Sequence, residues 1–333
     1  MSVIISFFNH KGGVGKTTQL YNLAWALSLK GKKVLMVDAD SQCNLSTQCL
    51  GAEGFEKHYI EFPDDNLKSG LAPAFEARPS LIKPVRCPQV QNNSNLFLLP
   101  GSFDISQNET QLSVAINFNV TFLTMTNLPG SFYHLITKCA EVNYVDYVLI
   151  DLNPGLSAIN QTIIFSSNYF IIPCGVDYFS KQAVLSLSKV LPNWCNWDVK
   201  AKEFFKDSVY PMPSFTSKFL GYTVNNFNIL NQKPTKTVQK VIDEIDFDFV
   251  HSFVPSLKNT GNVLERNDNN YRLAEIKNFN TLQLVSHRVN KPVFLLTSIE
   301  TGHSGVVEKN QEIGIDELKS RFNEFADFVI SIE

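Results

Sequence analysis

Four segments of the chain are apolar at nearly every position instead of alternating between apolar and polar residues. They cover residues 3–8, 33–38, 144–151 and 169–173. Continuous apolar runs of this length are typical of strands that are buried on both faces of a parallel sheet. Weaker apolar runs predict further strands at residues 95–101, 219–225, 249–255 and 293–297.

Helices are predicted between the strands, where apolar residues recur every three to four positions. In residues 17–30 the side chains of Leu20, Leu23 and Leu27 fall on one side, and Gly31 follows at a position where helices often end. The other predicted helices cover residues 104–117, 130–142, 179–191, 234–246 and 315–332. This alternation of strands and helices predicts an α/β fold with a doubly wound, mostly parallel sheet and helices on both faces.

Two stretches interrupt the alternation. Residues 51–95 contain five prolines and few regular apolar repeats, so we interpret them as an irregular excursion with short helices. Residues 256–291 are polar and diverge from the pattern on either side. A chain of 333 residues is long enough for a large α/β core. We therefore expect a single domain over residues 1–333 that carries both stretches.

Composition narrows the class of protein. The chain is 44% hydrophobic and 18% charged, as in soluble globular proteins, and its net charge of −3 gives no overall attraction to nucleic acid. Its six cysteines form no C-x-x-C pair and have no histidine at metal spacing, which indicates free thiols in a reducing compartment. The apolar N-terminal run is too short for a signal peptide and no segment reaches membrane-spanning length, so a cytoplasmic location without membrane partners is expected.

The turn after the first strand carries the clearest chemical motif, HKGGVGKTT at residues 10–18. Its glycines let successive backbone N–H groups point at phosphate oxygens, and the following helix adds its positive N-terminal end. Lys16 is expected to reach the β- and γ-phosphates of ATP, and the Thr17 hydroxyl to bind Mg²⁺. A glycine-rich turn with a surface lysine is the plainer interpretation, but the position between a buried strand and a helix disfavours it. The predicted nucleotide-binding residues are Gly12, Gly13, Val14, Gly15, Lys16, Thr17 and Thr18.

Two strands predicted to be buried end in an aspartate. Asp38 ends the strand at 33–38 and Asp151 the strand at 144–151. Ligands of open parallel sheets bind at the carboxyl ends of the strands, so both side chains should face the phosphates. Asp151 is then interpreted as a partner of Mg²⁺. A single aspartate after one strand is more often a cap or turn residue, but two such strands beside a phosphate-binding loop make that alternative less attractive.

These motifs resemble those of the ParA/MinD superfamily of ATPases. The sequence KGGVGKTT with its extra lysine, Lys11, is similar to the family's deviant Walker motif. Residues 38–45, DADSQCNL, resemble D-x-D-P-Q-x-N-L with Ser41 in place of proline, and residues 151–154, DLNP, resemble D-x-P-P with Asn153 in place of the first proline. The two departures concern the geometry of the switch loops rather than nucleotide binding.

The resemblance is weaker in the C-terminal half of the chain. Residues 221–227, GYTVNNF, and the pair Val254-Pro255 are similar to the family's late strand ends, where an asparagine and a proline border the adenine. This implies Asn225 and Pro255 as adenine contacts.

The resemblance also implies a mechanism. Lys11 would reach across an ATP-dependent homodimer to the phosphates of the partner, as an arginine finger does in other enzymes. Asp40 would orient or deprotonate the attacking water, and Asp38 would support the Mg²⁺ site. ATP would hold the dimer together and hydrolysis would release it. The alternative for Lys11 is an exposed loop lysine of a monomeric enzyme.

The cellular role is less clear from the sequence. ParA-type proteins bind DNA nonspecifically and position plasmids, chromosomes or protein cargoes. Residues 181–240 carry nine lysines against three acidic residues, which suits contacts to DNA phosphates. A second, weaker basic region holds Arg266, Arg272, Lys277, Arg288 and Lys291. A solvated surface of mixed charge explains both regions equally well.

Other branches of the superfamily fit less well. The iron-protein branch needs a cysteine where this chain has Ala158. The apolar stripe of the helix at 315–332 has acidic neighbours that anionic lipid would repel, so we expect it to pack in the core instead of binding a membrane. Lys11 lies so near the start of the sequence that no helix-turn-helix domain is expected before it.

Three hypotheses follow. The first is a ParA-like ATPase that dimerises on ATP, binds DNA nonspecifically and positions a cargo with a stimulating protein partner. The second is an ATP-switched dimer that docks on a protein complex through residues 51–95 and 256–291 and does not bind DNA. The third, a small-molecule kinase or synthetase, lacks any recognisable acceptor-binding residues.

Overall fold

An eight-stranded sheet lies at the centre of the computed structural model, which describes residues 2–117, 125–227, 229–230, 233–266, 270–302 and 306–332. The strand order is β10-β7-β6-β1-β5-β2-β4-β3, and every neighbouring pair is parallel except β3 and β4. The two remaining strands, β8 and β9, form a separate hairpin. The strands are β1 (Val3–Phe7), β2 (Val34–Ala39), β3 (Gln89–Val90), β4 (Asn93–Leu99), β5 (Tyr147–Leu152), β6 (Tyr169–Gly175), β7 (Lys218–Phe227), β8 (Ile229–Leu230), β9 (Lys233–Pro234) and β10 (Arg272–Lys277).

Helices cover both faces of the sheet. They are α1 (Lys16–Leu29), α2 (Asn44–Leu50), α3 (Ala52–Glu61), α4 (Leu67–Phe75), α5 (Gln107–Asn117), α6 (Leu128–Asn143), α7 (Ala158–Phe165), α8 (Tyr178–Phe204), α9 (Lys236–Asp248), α10 (Val254–Lys258), α11 (Thr281–Val289), α12 (Ser298–Thr301) and α13 (Val306–Ser331). A π-helical turn, Phe249–Phe253, joins α9 to α10, and a short 3₁₀ turn, Val293–Leu295, precedes α12.

Alternate residues of each central strand point into two separate hydrophobic cores. Ile4, Leu35 and Val148 belong to one core, whereas their chain neighbours Ile5, Val34 and Leu149 belong to the other. This explains why the strands are apolar at every position, because each face of the sheet is buried under helices. The predicted α/β fold with a doubly wound, mostly parallel sheet is confirmed.

The C-terminal helix packs in the core, as predicted. The apolar stripe of α13 is buried, and Lys30, directly after α1, forms an ion pair with Asp327 at 2.7 Å. The buried stripe consists of Ile315, Leu318, Phe322, Phe325 and Val329.

Two predicted strands are wrong. Residues 249–255 form the π-helical turn and the start of α10, because Phe249, Phe253 and Leu257 are four residues apart and bury on one helical face. Residues 293–297 contain the 3₁₀ turn instead of a strand. The last strand along the chain is β10, and it lies within residues 256–291, the polar stretch for which no strand was predicted.

Two other segments add detail to the predictions. Residues 51–95 contain the short helices α3 and α4 and the short strand β3, in agreement with an irregular excursion. Helix α8 continues through Pro192 to Phe204, well past the predicted end at residue 191. The single domain over residues 1–333 stays a prediction.

Candidate functional site

The glycine-rich turn connects β1 to α1 at the carboxyl end of the sheet. Gly13 has a φ of 70° and Gly15 a φ of 78°, in the left-handed region that side chains disfavour. Gly15 is also the N-cap residue directly before α1, so the turn places the helix N-terminus at the carboxyl end of the sheet. Backbone N–H groups at such a turn bind anions.

Lys16 lies inside this turn and is only 6% exposed. Its Nζ atom donates to the carbonyl oxygens of Asn9 and Lys11, at 3.3 and 3.4 Å. Burial lowers the pKa of Lys16, although the nearby carboxylates of Asp151 and Asp40 oppose that effect. A lysine held in this way has its charge directed at the loop that would surround a phosphate.

Thr17 and Asp151 form the second element of the site. The Thr17 hydroxyl donates to Oδ2 of Asp151 at 2.6 Å, and Asp151 is fully buried. Within the described part of the chain, the other carboxylate oxygen of Asp151 has no hydrogen-bond partner. Burial, with the neighbouring charge of Asp38, raises the pKa of Asp151 to about 8. A buried carboxylate oxygen without a partner beside a threonine hydroxyl fits a bound cation such as Mg²⁺.

Asp38 and Asp40 differ in what they contact. Asp38 pairs in register with Asp151 across β2 and β5, and its Oδ2 accepts the N–H and the hydroxyl of Ser46 at 2.8 and 2.7 Å. Its Oδ1 accepts the N–H of Asp40 at 3.2 Å. Asp38 therefore fixes the loop and the start of α2. Asp40 lines the cavity above the turn, where one of its oxygens accepts the N–H of Gln42 at 3.0 Å.

The loop after β5 is fixed to the next helix by Asn153. The amide of Asn160 in α7 donates to the backbone oxygen of Asn153 at 3.0 Å and to its side-chain oxygen at 2.9 Å. Asn153, which stands where the motif D-x-P-P has its first proline, thus fixes the loop through hydrogen bonds instead of through the rigidity of a proline ring.

The cavity above these residues has a volume of about 530 Å³. One wall is the glycine-rich turn, and the other is formed by β10 and α11, neither of which was predicted to contribute to the site. The lining residues outside the turn are Gln19, Asp40, Gln42, Asn44, Gln48, Pro154, Asn225, Ile276, Lys277, Phe279, Gln283 and His287. The two walls are connected, since Gln283 donates to the Thr18 hydroxyl at 3.2 Å.

The two proposed adenine contacts are placed differently. The buried Asn225 side chain lines the cavity and donates to the backbone oxygen of Val14. Pro255 is exposed in α10 and does not line the cavity. Its expected role depended on a strand at 249–255, but the structure shows these residues to be helical. Pro255 is therefore removed from the predicted site residues.

Lys11 does not line the cavity. Its Nζ atom lies 2.5 Å from Oδ2 of Asp177 and 3.0 Å from the Ser180 hydroxyl. Asp177 also caps the N-terminus of α8, because its side chain accepts the N–H of Ser180. Burial alone would raise the pKa of Asp177, but hydrogen bonds from Lys11 and Ser180 outweigh it and lower the pKa.

Comparison with known families decides the classification. The "AAA domain" family model matches residues 2–196, which is more than half of the chain. The chain belongs to that family. Its relatives include the chromosome-partitioning ATPase Soj and, from Caulobacter vibrioides, the chromosome partitioning protein ParA, which make it a member of the ParA/MinD superfamily.

Two relatives illustrate the range of similarity. An uncharacterised protein from Methanocaldococcus jannaschii is 29% identical over 240 residues, covering 72% of this chain and 79% of the relative. The chromosome-partitioning ATPase Soj from Treponema pallidum is 29% identical over 188 residues, covering 56% of this chain and 62% of Soj. The alignments with the named partition ATPases thus leave out a large part of each protein.

Solved structures share the fold of this ParA/MinD-superfamily member. Apo McdA from Cyanothece matches with a TM-score of 0.63 and 18% identity, over 99% of this chain and 100% of McdA. The pNOB8 ParA bound to nonspecific DNA matches with a TM-score of 0.59 and 16% identity, over 99% and 98% of the two chains. At these identities the likeness concerns the fold alone.

Two other kinds of feature are absent from the described residues. They contain no group of three or more His, Cys, Asp or Glu side chains arranged to hold a metal ion. Among those same residues, no helix is long and apolar enough to cross a membrane. The six cysteines are all free and buried.

Asp177 and the wall formed by Phe279, Gln283 and His287 were not predicted from the sequence. Asp177 had a local signal, an aspartate two residues before a predicted helix. The wall had none, because Phe279 follows an edge strand, and Gln283 and His287 belong to a short helix within a polar stretch.

Proposed function

We propose that this protein binds ATP with Mg²⁺ in the 530 Å³ cavity and hydrolyses it to ADP and phosphate. One observation supports this most directly: the Thr17 hydroxyl contacts a buried Asp151 carboxylate that has a second oxygen free of partners among the described residues. That pair lies at the start of α1, next to a turn shaped for phosphates.

The cavity suggests how ATP is oriented. Its phosphates would lie on the turn from Gly12 to Thr18, with Lys16 against the β- and γ-phosphates. The base would then extend toward the wall of β10 and α11, where Phe279 and Gln283 lie, with Asn225 at the junction. Asn225 is supported as an adenine-side residue by its place in the cavity lining.

The metal site would be formed by Thr17 and Asp151, with Asp38 in support. Asp38 contributes indirectly, because Ser46 and the Asp40 backbone occupy its oxygens. Bound Mg²⁺ would neutralise part of the phosphate charge.

Asp40 is the proposed base because, among the described residues, it is the acidic side chain that lines the cavity. A water oxygen would form a bond to the γ-phosphorus while the bond from that phosphorus to the bridging oxygen breaks. The carboxylate of Asp40 would take the proton of the water, and ADP would leave with the bridging oxygen.

Lys11 would act on a second copy of the chain. Its ammonium group contacts Asp177 and does not line the cavity of its own chain, which leaves it for the phosphates of a partner. We therefore propose an ATP-dependent homodimer in which each Lys11 leaves Asp177 for the phosphates of the other copy.

The test is ATP hydrolysis by the Asp40→Ala and Lys16→Ala variants, measured as phosphate release. Asp40→Ala should still bind ATP but lose at least about 100-fold in rate, since a positioned base contributes that much. Lys16→Ala should lose ATP binding itself. Hydrolysis by Asp40→Ala at the normal rate would remove Asp40 from the mechanism.

We further propose that the ATP-bound dimer binds DNA nonspecifically and positions a plasmid, chromosome or protein cargo with a stimulating protein partner. Support comes from membership in the superfamily, from the lysines of residues 181–240, and from the fold shared with a ParA solved on nonspecific DNA. A gel shift with generic duplex DNA at low salt, using ATP-trapped Asp40→Ala protein, tests this role. An ATP-trapped dimer that ignores DNA would favour the protein-docking switch.

A further inference from the structure

A buried asparagine of α7 holds the loop that follows β5. Asn160 is fully buried, and its side-chain amide donates to three oxygens of that loop. The acceptors are the backbone oxygens of Asn153 and Gly155, at 3.0 and 2.9 Å, and the side-chain oxygen of Asn153 at 2.9 Å. Because backbone oxygens only accept hydrogen bonds, the NH₂ group of Asn160 has to face the loop.

The helix does not need this side chain for its own N-terminus. The Ser157 hydroxyl already accepts the backbone N–H of Asn160 at 3.1 Å. The carboxylate of Glu109, in α5, accepts the N–H groups of Ala158 and Ile159 at 2.6 and 3.1 Å. These contacts fix the first turn of α7 against α5. Burying an amide costs free energy unless its hydrogen bonds are made, and the side chain of Asn160 makes them with the loop.

The loop connects two parts of the proposed ATP site. It begins directly after β5, which carries Asp151, the acceptor of the Thr17 hydroxyl. Its Pro154 lines the cavity, and a Cβ atom added to Gly12 would lie 3.8 Å from the Cβ atom of Pro154. Asn153 lies between the two, so a change in the path of the chain at Asn153 would shift Asp151 or Pro154 relative to the glycine-rich turn.

We propose that Asn160 is a positioning residue for the reaction, an inference that rests on the proposed hydrolysis of ATP. The motif D-x-P-P has a proline where this chain has Asn153, and a proline ring fixes the φ angle of its own residue. Asparagine leaves that angle free, and the hydrogen bonds from Asn160 supply the missing constraint. Asn160 does not line the cavity, so it acts through the places of Asp151 and Pro154.

Removing the amide should slow hydrolysis more than it weakens ATP binding. The rate constant kcat of Asn160→Ala should fall at least about tenfold, because small displacements around the reacting atoms can cost up to about 100-fold. The affinity for ATP should stay within about threefold, since the turn from Gly12 to Thr18 is unchanged. In an Asn153→Pro chain the ring restores the constraint, so the same substitution should cost less than about threefold in kcat.

The experiment is a double-mutant cycle on the full chain with Asn160→Ala, Asn153→Pro and both together. Phosphate release measures kcat, and calorimetric titration measures the affinity for a non-hydrolysable ATP analogue. Asn262→Ala is the matched control, because Asn262 is also buried, at 3% exposure, and its amide donates to the backbone oxygen of Ser217 outside the cavity lining. Urea unfolding establishes that each variant is folded. Asn153→Ala, at a half-buried position, removes one of the three acceptors and should lower kcat in the same direction even where Asn160→Ala does not fold.

A large loss of kcat from Asn160→Ala in the native chain, with a small loss in the Asn153→Pro chain and none in Asn262→Ala, supports the proposal. Equal losses in the native and Asn153→Pro chains, or an equal loss in Asn262→Ala, overturn it and leave the ATPase intact. A native chain that neither binds the analogue nor releases phosphate instead contradicts the proposed function itself, and the positioning role fails with it.

Discussion

Lys11 and Asp177 show how a single ion pair can set the resting state of the site. The pair is partly exposed, with 25% and 43% of the two side chains accessible, so its contribution to stability is at most about 1 kcal/mol. A pair of that strength holds Lys11 in place in one copy of the chain, yet the charge of an ATP phosphate on a partner can displace it. In the proposed dimer the ion pair would break once in each copy.

The Asp177→Asn variant tests this balance. Asparagine keeps a side-chain oxygen that can cap α8, but it removes the charge that holds Lys11. The ATP-dependent dimer should become roughly fivefold to tenfold tighter, because two ion pairs no longer have to break. Sedimentation equilibrium with Lys11→Ala as the negative control measures the change. An unchanged dimerisation constant would show that the contact with Asp177 does not restrain Lys11.

A second acidic side chain with an unusual pKa lies outside the cavity lining. Asp198 in α8 is 2% exposed, and Lys202 donates to it at 2.6 Å. Burial raises the pKa of Asp198 from 3.8 to about 6, although Lys202 opposes the shift. The folded state therefore binds more protons than the unfolded state between these values, and stability contributed by this group falls as pH rises from about 4 to 6.

Comparison with Asp198→Asn isolates the effect. The free energy of unfolding of the parent relative to this variant should fall by about 3 kcal/mol between pH 3.5 and 7, since each pKa unit corresponds to about 1.4 kcal/mol. Urea unfolding across that pH range measures the difference. Asp207→Asn, at an exposed position just beyond α8, controls for a general change in charge. A difference independent of pH would mean that Asp198 ionises at its ordinary pKa.

At the scale of elements, the sequence predicted the central part of the fold well and its C-terminal part less well. Strands β1, β2, β5 and β6 were predictable because burial on both faces leaves a continuous apolar run. The run FVHSFVP at 249–255 has the same composition, but its buried residues recur at helical spacing and α8 packs against them. Strand β10 was missed because only Ala274 and Ile276 are buried in it, and the contact with α13 that secures it is not local.

The same limit applies to the site. Residues from Gly12 to Thr18 and the aspartates of β2 and β5 were predictable because strand, turn and acid follow one another in the chain. The wall of β10 and α11 reaches the cavity only through tertiary packing, and no local signal reports it.

A substitution at Phe249 tests the corrected assignment of residues 249–255, which are helical instead of a strand. It is fully buried, and its ring stacks on Tyr222 with centroids 3.8 Å apart. Phe249→Ala should reduce the free energy of unfolding by about 3–5 kcal/mol, the usual cost of removing a buried phenylalanine. Phe247→Ala, two residues earlier and 58% exposed, should cost less than about 1 kcal/mol. Equal losses in urea unfolding would contradict the helical register that buries Phe249 and exposes Phe247.

At the scale of the whole molecule, the question is whether a chain with net charge −3 can bind DNA. The structure shows which basic residues are already neutralised. Lys181, Lys202 and Lys206 form ion pairs with Glu244, Asp198 and Glu203. In the second basic region, Arg272, Lys277 and Lys291 pair with Asp246, Glu317 and Glu300. The second region is therefore a weak candidate for DNA contacts.

Two lysines stand out among those that remain. Lys236 and Lys240 are exposed in the first half of α9, whereas the acidic residues of that helix lie in its second half. Neither lysine forms an ion pair with any residue that the structure describes. The N-terminal end of α9 thus combines two available ammonium groups with the positive end of a helix, and it faces solvent.

Reversing both charges should weaken DNA binding by the ATP-trapped Asp40→Ala dimer. With Lys236→Glu and Lys240→Glu in each copy, the affinity for generic duplex DNA should fall at least about tenfold. The slope of log affinity against log salt should decrease by roughly two to four, since each lost phosphate contact removes about 0.9. Fluorescence anisotropy at several salt concentrations measures both quantities.

The control makes the same change in net charge elsewhere. Lys57→Glu with Lys138→Glu alters two exposed lysines of α3 and α6, which lie outside the 181–240 region. A loss confined to the α9 variant places the DNA phosphates at the start of α9. Equal losses would show that only net charge matters, and the lysines of α9 would then have no special role. A dimer whose DNA binding is unchanged by either pair would remove residues 236–240 from the interface.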